Sequence, residues 1–411
     1  MGGFCFTPRM KKTIIRFVDP DLPEKGPGSN VRFFVIPGHP FGLTSAVLNF
    51  NRVPRFAVYF ARMILGVLTN SFYDDCVIVE PAYCARSGQY CMRRVMELIG
   101  MPFSDEKHEE VGPSSPFLGV VSDFSASLSH GVMRMSIKAD RRERLLKLLD
   151  TYILELRVSR SDAASLEGKL QFCILSQFGR VGRAALSVVR EHAHHSTSEQ
   201  IGYELECALA FLFDLVRTLP PFEAPLYPPR QHSVLAWTDA MFLGHDGSRL
   251  DGPELGCRAA IGAIVWSPYE RRYYYSSLEI ETATLEWLFS IKEQYIAQLE
   301  MIAVLSLYQS LPSVLAGQLV IHWVDNQGVL WNATHGSSRE PGCAALTHLT
   351  ALHQAQLGCR VWYEYVASKA NPADAPSRGD FSFLVDWVIT PAAGPFVWFE
   401  SVFTAEDVGL W

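Results

Sequence analysis

The sequence is short of the features that mark several protein classes. Its nine cysteines are scattered; the closest pair is Cys84 and Cys91, and no CxxC or CxxH spacing occurs. That excludes the usual zinc-ribbon pattern and a disulfide framework. It fits a reducing intracellular compartment, cytoplasm or nucleus. Long apolar runs are also lacking, because the uncharged stretches carry Pro, Gly or polar breaks, so no membrane association is expected. The opening "MGGFCFTPRMKK" does not read as a signal peptide, since its apolar run is short and precedes the charges. Phe6 stands where a myristoylation motif takes Ser or Thr. There is no internal repeat and no low-complexity tract.

Positive charge is in deficit too. Lys and Arg number 36 against 43 Asp and Glu, a net charge of −7, the reverse of the usual nucleic-acid footprint. The distribution is uneven, however. Residues 1–60 hold eight basic and three acidic side chains, and 136–190 hold eleven against six, while 231–411 hold nine against nineteen. What is plentiful is apolar surface, 48% of residues with 12% aromatics, over a chain of 411 residues. Two or three folded domains are expected.

Pattern along the chain divides it. "NVRFFVIPG" reads as a strand, and "TSAVLNFNRVPRFAVYFARMILGVL" as helix interrupted at Pro54. "NSFYDDCVIVE" reads as a β-hairpin with Asp74 and Asp75 at its tip, and "SPFLGVVSDFS" as a strand. From 139 to 217 the periodicity is helical, with an apolar stripe in "DRRERLLKLLDTYILEL". The five prolines of "TLPPFEAPLYPPRQH" read as a linker. Beyond it the order is βββ-α-β-α-β-α.

Four carboxylates occupy telling places in that last part. Asp239 ends the first strand in "WTDA", and Glu300 lies on the first helix in "QLEMIAVL". Asp325 ends the fourth strand in "WVDN", and Asp374 opens the last helix in "NPADAPSR". In this layout the first and fourth strands are neighbours with a helix crossing beside them, which can bring all four acids to one point. Clustered carboxylates repel unless cations compensate. Oxygen-only sets suit Mg²⁺ or Mn²⁺, and a pair of such ions can activate water and steady the leaving oxygen of a phosphodiester. For each acid singly, capping a strand end or a helix is the alternative role.

With "IGAIVW", "VDNQGVL", "GSSREPGCAALTHL" and "YVASKANPADAPSR", residues 233–380 resemble the ribonuclease H-like domain of retroelement reverse transcriptases. The resemblance implies that Asp239, Glu300, Asp325 and Asp374 are catalytic metal ligands for two Mg²⁺ or Mn²⁺ ions, and that the partner is an RNA–DNA hybrid. Asn326 and Arg378, beside two of the acids, are candidates for phosphate or hydroxyl contact, with turn and helix-end roles as alternatives.

With that neighbour, "SFYDDC" resembles the aspartate hairpin of a reverse-transcriptase palm, with Phe72, Tyr73, Asp74 and Asp75 as the polymerase remnant. "HPFGLTSAV", Lys107 in "MPFSDEKHEEV" and "FLGV" at 117–120 resemble other palm motifs. "LEGKLQFCILSQFGRVGR" resembles the helical thumb–connection of DIRS-type elements, with Arg180 and Arg183 as candidate phosphate contacts and close helix packing at Gly179 and Gly182 as the alternative.

The expected fold class is therefore α+β and α/β. It comprises an N-terminally truncated palm (1–125), a helical thumb–connection (126–217), a Pro-rich linker (218–232), a ribonuclease H-like domain with a mixed five-stranded sheet (233–380) and an aromatic tail (381–411). A two-metal polymerase needs a further aspartate from an earlier strand. Only Asp19 and Asp21 are available, beside Pro20 and Pro23, which argue against a central strand there, so polymerase activity is expected to be lost. The expected function is metal-dependent hydrolysis of RNA in RNA–DNA hybrids. The alternative is an inert retroelement remnant that only binds nucleic acid. "EHAHH" at 191–195 reads as a solvated helix end rather than a metal site.

Overall fold

A computed structural model describes residues 13–18, 31–36, 44–84, 86–173, 179–218, 221–226, 232–243, 258–281, 285, 296–382 and 388–389. Asp19, Asp21, the "HPFG" turn and most of the aromatic tail lie outside the described residues. The chain divides into two compact units, Met1–Gly112 and Pro113–Trp411.

In the first unit β1 (Thr13–Val18) pairs antiparallel with β2 (Val31–Ile36). Helix α1 (Thr44–Met63) runs through Pro54 without a break, contrary to the interruption expected there. One missing backbone bond costs less than the burial that its inner face gains. That face, with Ala57, Val58 and Ala61, packs on Val67 and on Met92, Val95 and Met96 of α2 (Ser87–Leu98). Strands β3 (Leu68–Phe72) and β4 (Asp75–Val79) form the expected hairpin.

The second unit begins with three short strands, β5 (Ser114–Phe117), β6 (Val120–Asp123) and β7 (Val132–Ile137). The single strand expected over "SPFLGVVSDFS" is thus a hairpin, turned at Leu118 and Gly119, both at positive φ. Helices α3 (Ala139–Glu155), α4 (Arg160–Cys173), α5 (Arg183–His195) and α6 (Tyr203–Thr218) follow. Their apolar stripes meet in one core containing Leu145, Leu149, Leu166, Leu170, Leu209 and Leu212. Phe222–Pro225, within the proline-rich stretch, is a strand (β8) that closes the β5-β6-β7 sheet.

The mixed sheet follows. Strands β9 (Val234–Leu243), β10 (Arg258–Ser267) and β11 (Arg272–Glu279) are antiparallel. Strand β12 (Leu319–Val324) joins the other edge of β9 in parallel, and β13 (Arg360–Tyr365) joins β12. These are the five strands expected, in the arrangement that the ribonuclease H-like resemblance implies. A sixth, two-residue strand, β14 (Val388–Ile389), lies parallel to β11. Helix α7 (Ile296–Ser310) is buried from Gln298 to Tyr308, which is why its sequence is apolar nearly all round. A helix that the sequence pattern did not show, α8 (Gln327–His335), starts at Asn326. Helix α9 (Pro341–Gln356) is the shared wall of two cores: Cys343, Leu346 and Leu349 face the sheet, whereas Ala351 and Leu352 enter the helical core. A final turn, α10 (Asp374–Ser377), lies on β9, β10 and β11. Among the described residues no helix is long and apolar enough to cross a membrane.

Candidate metal centre

Three of the four expected acids converge. Asp239 on β9, Glu300 on α7 and Asp325, one residue past β12, each offer a carboxylate oxygen within 4.8 Å of the others. Among the described residues this is the group of His, Cys, Asp and Glu that is arranged to hold a metal ion. Asp239 and Glu300 are buried, and Asp325 is half-buried.

The geometry follows from the elements. Parallel pairing of β9 with β12 ends at Trp237–Trp323, so each strand delivers its acid two residues later, where the ladder has stopped. Glu300 reaches the same place from the first turns of the buried helix. Asp374 lies beside the group, near enough for its charge to act on Asp239, but Arg378 Nε donates to its Oδ1 at 2.8 Å.

The segment carrying Asp374 is fastened to the sheet by close contacts. Asn371 Nδ2 donates to the Thr238 carbonyl at 2.9 Å, and Ser277 Oγ donates to the Pro376 carbonyl at 2.7 Å. Ser377 Oγ, fully buried, donates to Asp239 Oδ2 at 2.6 Å. Gly262 makes this approach possible. It pairs with Asp239 across the sheet, and a Cβ on it would lie 2.4 Å from Ser377 N and 2.7 Å from the Ala373 carbonyl.

Electrostatics at the centre suit a cation. Burial pushes the Asp239 carboxyl up to about 6, and repulsion from Asp325 and Asp374 adds to it; the Ser377 hydroxyl and Arg378 act the other way. Asp325 Oδ1 is buried with no hydrogen-bond partner among the described residues. Buried carboxylate oxygens left this way are costly unless a cation completes them. An all-oxygen donor set with such an atom fits Mg²⁺ or Mn²⁺.

The other candidates are placed elsewhere. Asn326 caps α8, its Oδ1 accepting from the Gly328 and Val329 amides. Arg180 is directed inward: it donates to the carbonyls of Thr334 and Val361 and to Gln354 Oε1, and its guanidinium sits 4.8 Å over the Tyr363 ring. Arg183 donates to the carbonyls of Gly179 and His335. A Cβ on Gly336 would lie 2.7 Å from Arg180 Cβ, so this is a close packing junction between the helices and the sheet. In "EHAHH", His192 contacts the Val158 carbonyl and His194 faces Glu167.

The aspartate hairpin belongs to the first unit. Phe72 pairs with Asp75, so Tyr73 and Asp74 form the two-residue turn, with Tyr73 at φ 54. Both aspartates and both aromatics are exposed, and the two rings meet edge to face at 4.8 Å.

Sequence reasoning missed Ser377, Asn371, Gly262 and the buried pair Thr238 and His322, whose side chains bond at 3.0 Å. One signal was available for both acid-bearing strands: each carries the pattern W-x-D, at Trp237–Asp239 and at Trp323–Asp325. Asp239 lies within β9 rather than at its end as expected, because β9 runs on to Leu243 in its pairing with β10.

No protein-family model matches the chain, and neither does any curated protein. Solved structures do. A ribonuclease H1 from Halobacterium salinarum is 16% identical over 36% of this chain and 98% of its own, with a TM-score of 0.27. The N-terminal RNase H domain of Rv2228c from Mycobacterium tuberculosis, fused to maltose-binding protein, is 16% identical over 36% and 94%, also at 0.27. A foamy viral protease–reverse transcriptase in complex with double-stranded DNA is 11% identical over 82% of this chain and 52% of its own, at 0.36. At these values the site rests on its own geometry.

Proposed function

We propose that the chain is a retroelement-derived reverse transcriptase/ribonuclease H fragment that hydrolyses the RNA strand of RNA–DNA hybrids in a metal-dependent reaction. The observation that carries this reading is the convergence of Asp239, Glu300 and Asp325, with a buried Asp325 oxygen that has no hydrogen-bond partner among the described residues. Those three acids would hold the ions, with Asp374 beside them. When bound, the ions supply charge compensation and Lewis acidity at a phosphodiester. Ser377 orients Asp239 through Oδ2, and Arg378 restrains Asp374. Hybrid recognition would rest on groove width and 2′-hydroxyl contacts rather than on base sequence.

In this reading the exposed hairpin of Asp74 and Asp75 marks reverse-transcriptase ancestry. The setting is intracellular, in cytoplasm or nucleus. The test is Mg²⁺-dependent cleavage of an RNA–DNA hybrid, with Asp239→Asn alongside. Cleavage by the native chain alone supports the reading. Salt-dependent hybrid binding without cleavage, in a folded and metal-loaded sample, favours the inert remnant.

A further inference from the structure

Strands β9 and β12 part where the site begins. Their parallel ladder runs from Val234–Val320 to Trp237–Trp323 and stops. Two residues on lie Asp239, buried on β9, and Asp325, half-buried just past β12, and like charges away from bulk water push apart. β9 itself runs on to Leu243, paired with β10, so past Trp237–Trp323 the two acid-bearing segments are held together by something other than hydrogen bonds between the β9 and β12 backbones.

Two contacts lie at that point, one on each face. The indoles of Trp237 and Trp323 stack, with centroids 4.9 Å apart and planes 12° from parallel. Trp237 and Asp239 are two residues apart on one strand, so the stack is on the acids' own face. On the other face Thr238 Oγ1 and His322 Nε2 bond at 3.0 Å, both fully buried. The second ring nitrogen of His322 lies 3.0 Å from the buried Tyr308 hydroxyl, which fixes the imidazole in place. Burial keeps this histidine neutral, so one nitrogen donates and the other accepts.

We infer that this two-sided clamp sets the separation of Asp239 and Asp325, and with it the size of cation that the site accepts. Trp237, Trp323, Thr238 and His322 are then positioning residues. The inference rests on the metal-site reading above. Its physical content is rigidity. Mg²⁺ demands near-octahedral oxygens at about 2.0–2.1 Å, whereas Ca²⁺ tolerates looser sets at about 2.3–2.6 Å. A loosened clamp penalises the smaller ion more.

The test is calorimetric titration of the full chain with Mn²⁺ and with Ca²⁺. Thr238→Val keeps the buried shape and removes the hydroxyl; Trp323→Leu removes the stack; Leu149→Ala weakens the helical core as a stability control. Both clamp variants are expected to lose about tenfold in Mn²⁺ affinity and to narrow the preference for Mn²⁺ over Ca²⁺. Thr238→Ser restores the preference, and Leu149→Ala leaves it as in the native chain. Native preference in both clamp variants would overturn the clamp. No Mn²⁺ binding by the native chain, or equal binding by Asp239→Asn, would overturn the acid site and the clamp with it.

Discussion

The hydroxyl of Ser377 lies 2.6 Å from Asp239 Oδ2 and ties the last turn of the domain to the first acid of its sheet. The bond holds the carboxylate in one orientation and favours its charged form. Ser377→Ala is therefore expected to raise the Asp239 pKa further and to move Mn²⁺ binding to higher pH. A pH series of Mn²⁺ titrations on both proteins checks this. An unmoved midpoint would mean that the hydroxyl has no hold on the acid.

The apo protein should show an inverted pH dependence from Asp239. Its carboxyl is held up at about 6, against 3.8 for the free group, mainly by burial. The folded state then binds more protons than the unfolded one between those values. This stabilisation is full below the unfolded value and is lost as pH rises through about 6, on the order of 3 kcal/mol. Thermal melts in EDTA should show stability falling across that window. Mg²⁺, which competes with the proton, should restore stability on the alkaline side.

Gly262→Ala should damage the site without touching an acid. The added Cβ would meet backbone atoms, Ser377 N and the Ala373 carbonyl, and neither can swing aside as a side-chain tip could. A loss of about 1–3 kcal/mol is expected, with weaker Mn²⁺ binding because the Ser377 turn is pushed off Asp239. Urea denaturation and metal titration read the two effects separately.

Arg180→Ala should cost stability rather than nucleic-acid affinity. The guanidinium satisfies two carbonyls and Gln354 at the junction of helices and sheet, and removing it leaves those groups short of a donor. About 2–4 kcal/mol is expected from the combined loss. Arg180→Lys should recover little of this, since an ammonium cannot supply the planar fork or its stacking on Tyr363. If Arg180 instead contacted phosphate, the salt slope of hybrid binding would fall by about one.

Much of this was legible locally. The aspartate hairpin showed in "SFYDDC", and the strands and helix bearing Asp239, Glu300 and Asp325 showed in their apolar patterns. What escaped was set by distant contacts. For Asn326 the sequence left substrate contact and a turn or helix-end role both open, because the helix that it caps has little amphipathic signal. Ser377 lies 138 residues from Asp239, and Gly262 matters only because a later turn crosses it. For Arg180 the sequence left phosphate contact and close packing both open, and its neighbour at that packing, Gly336, lies more than 150 residues on.

The most direct test of the nuclease reading is a hybrid with differently labelled RNA and DNA strands, incubated with the full chain in Mg²⁺. The account predicts cuts in the RNA strand alone, none in EDTA and none with Asp239→Asn or Asp325→Asn. Cleavage that survives both substitutions, or no cleavage by folded chain shown to bind Mn²⁺, would contradict it.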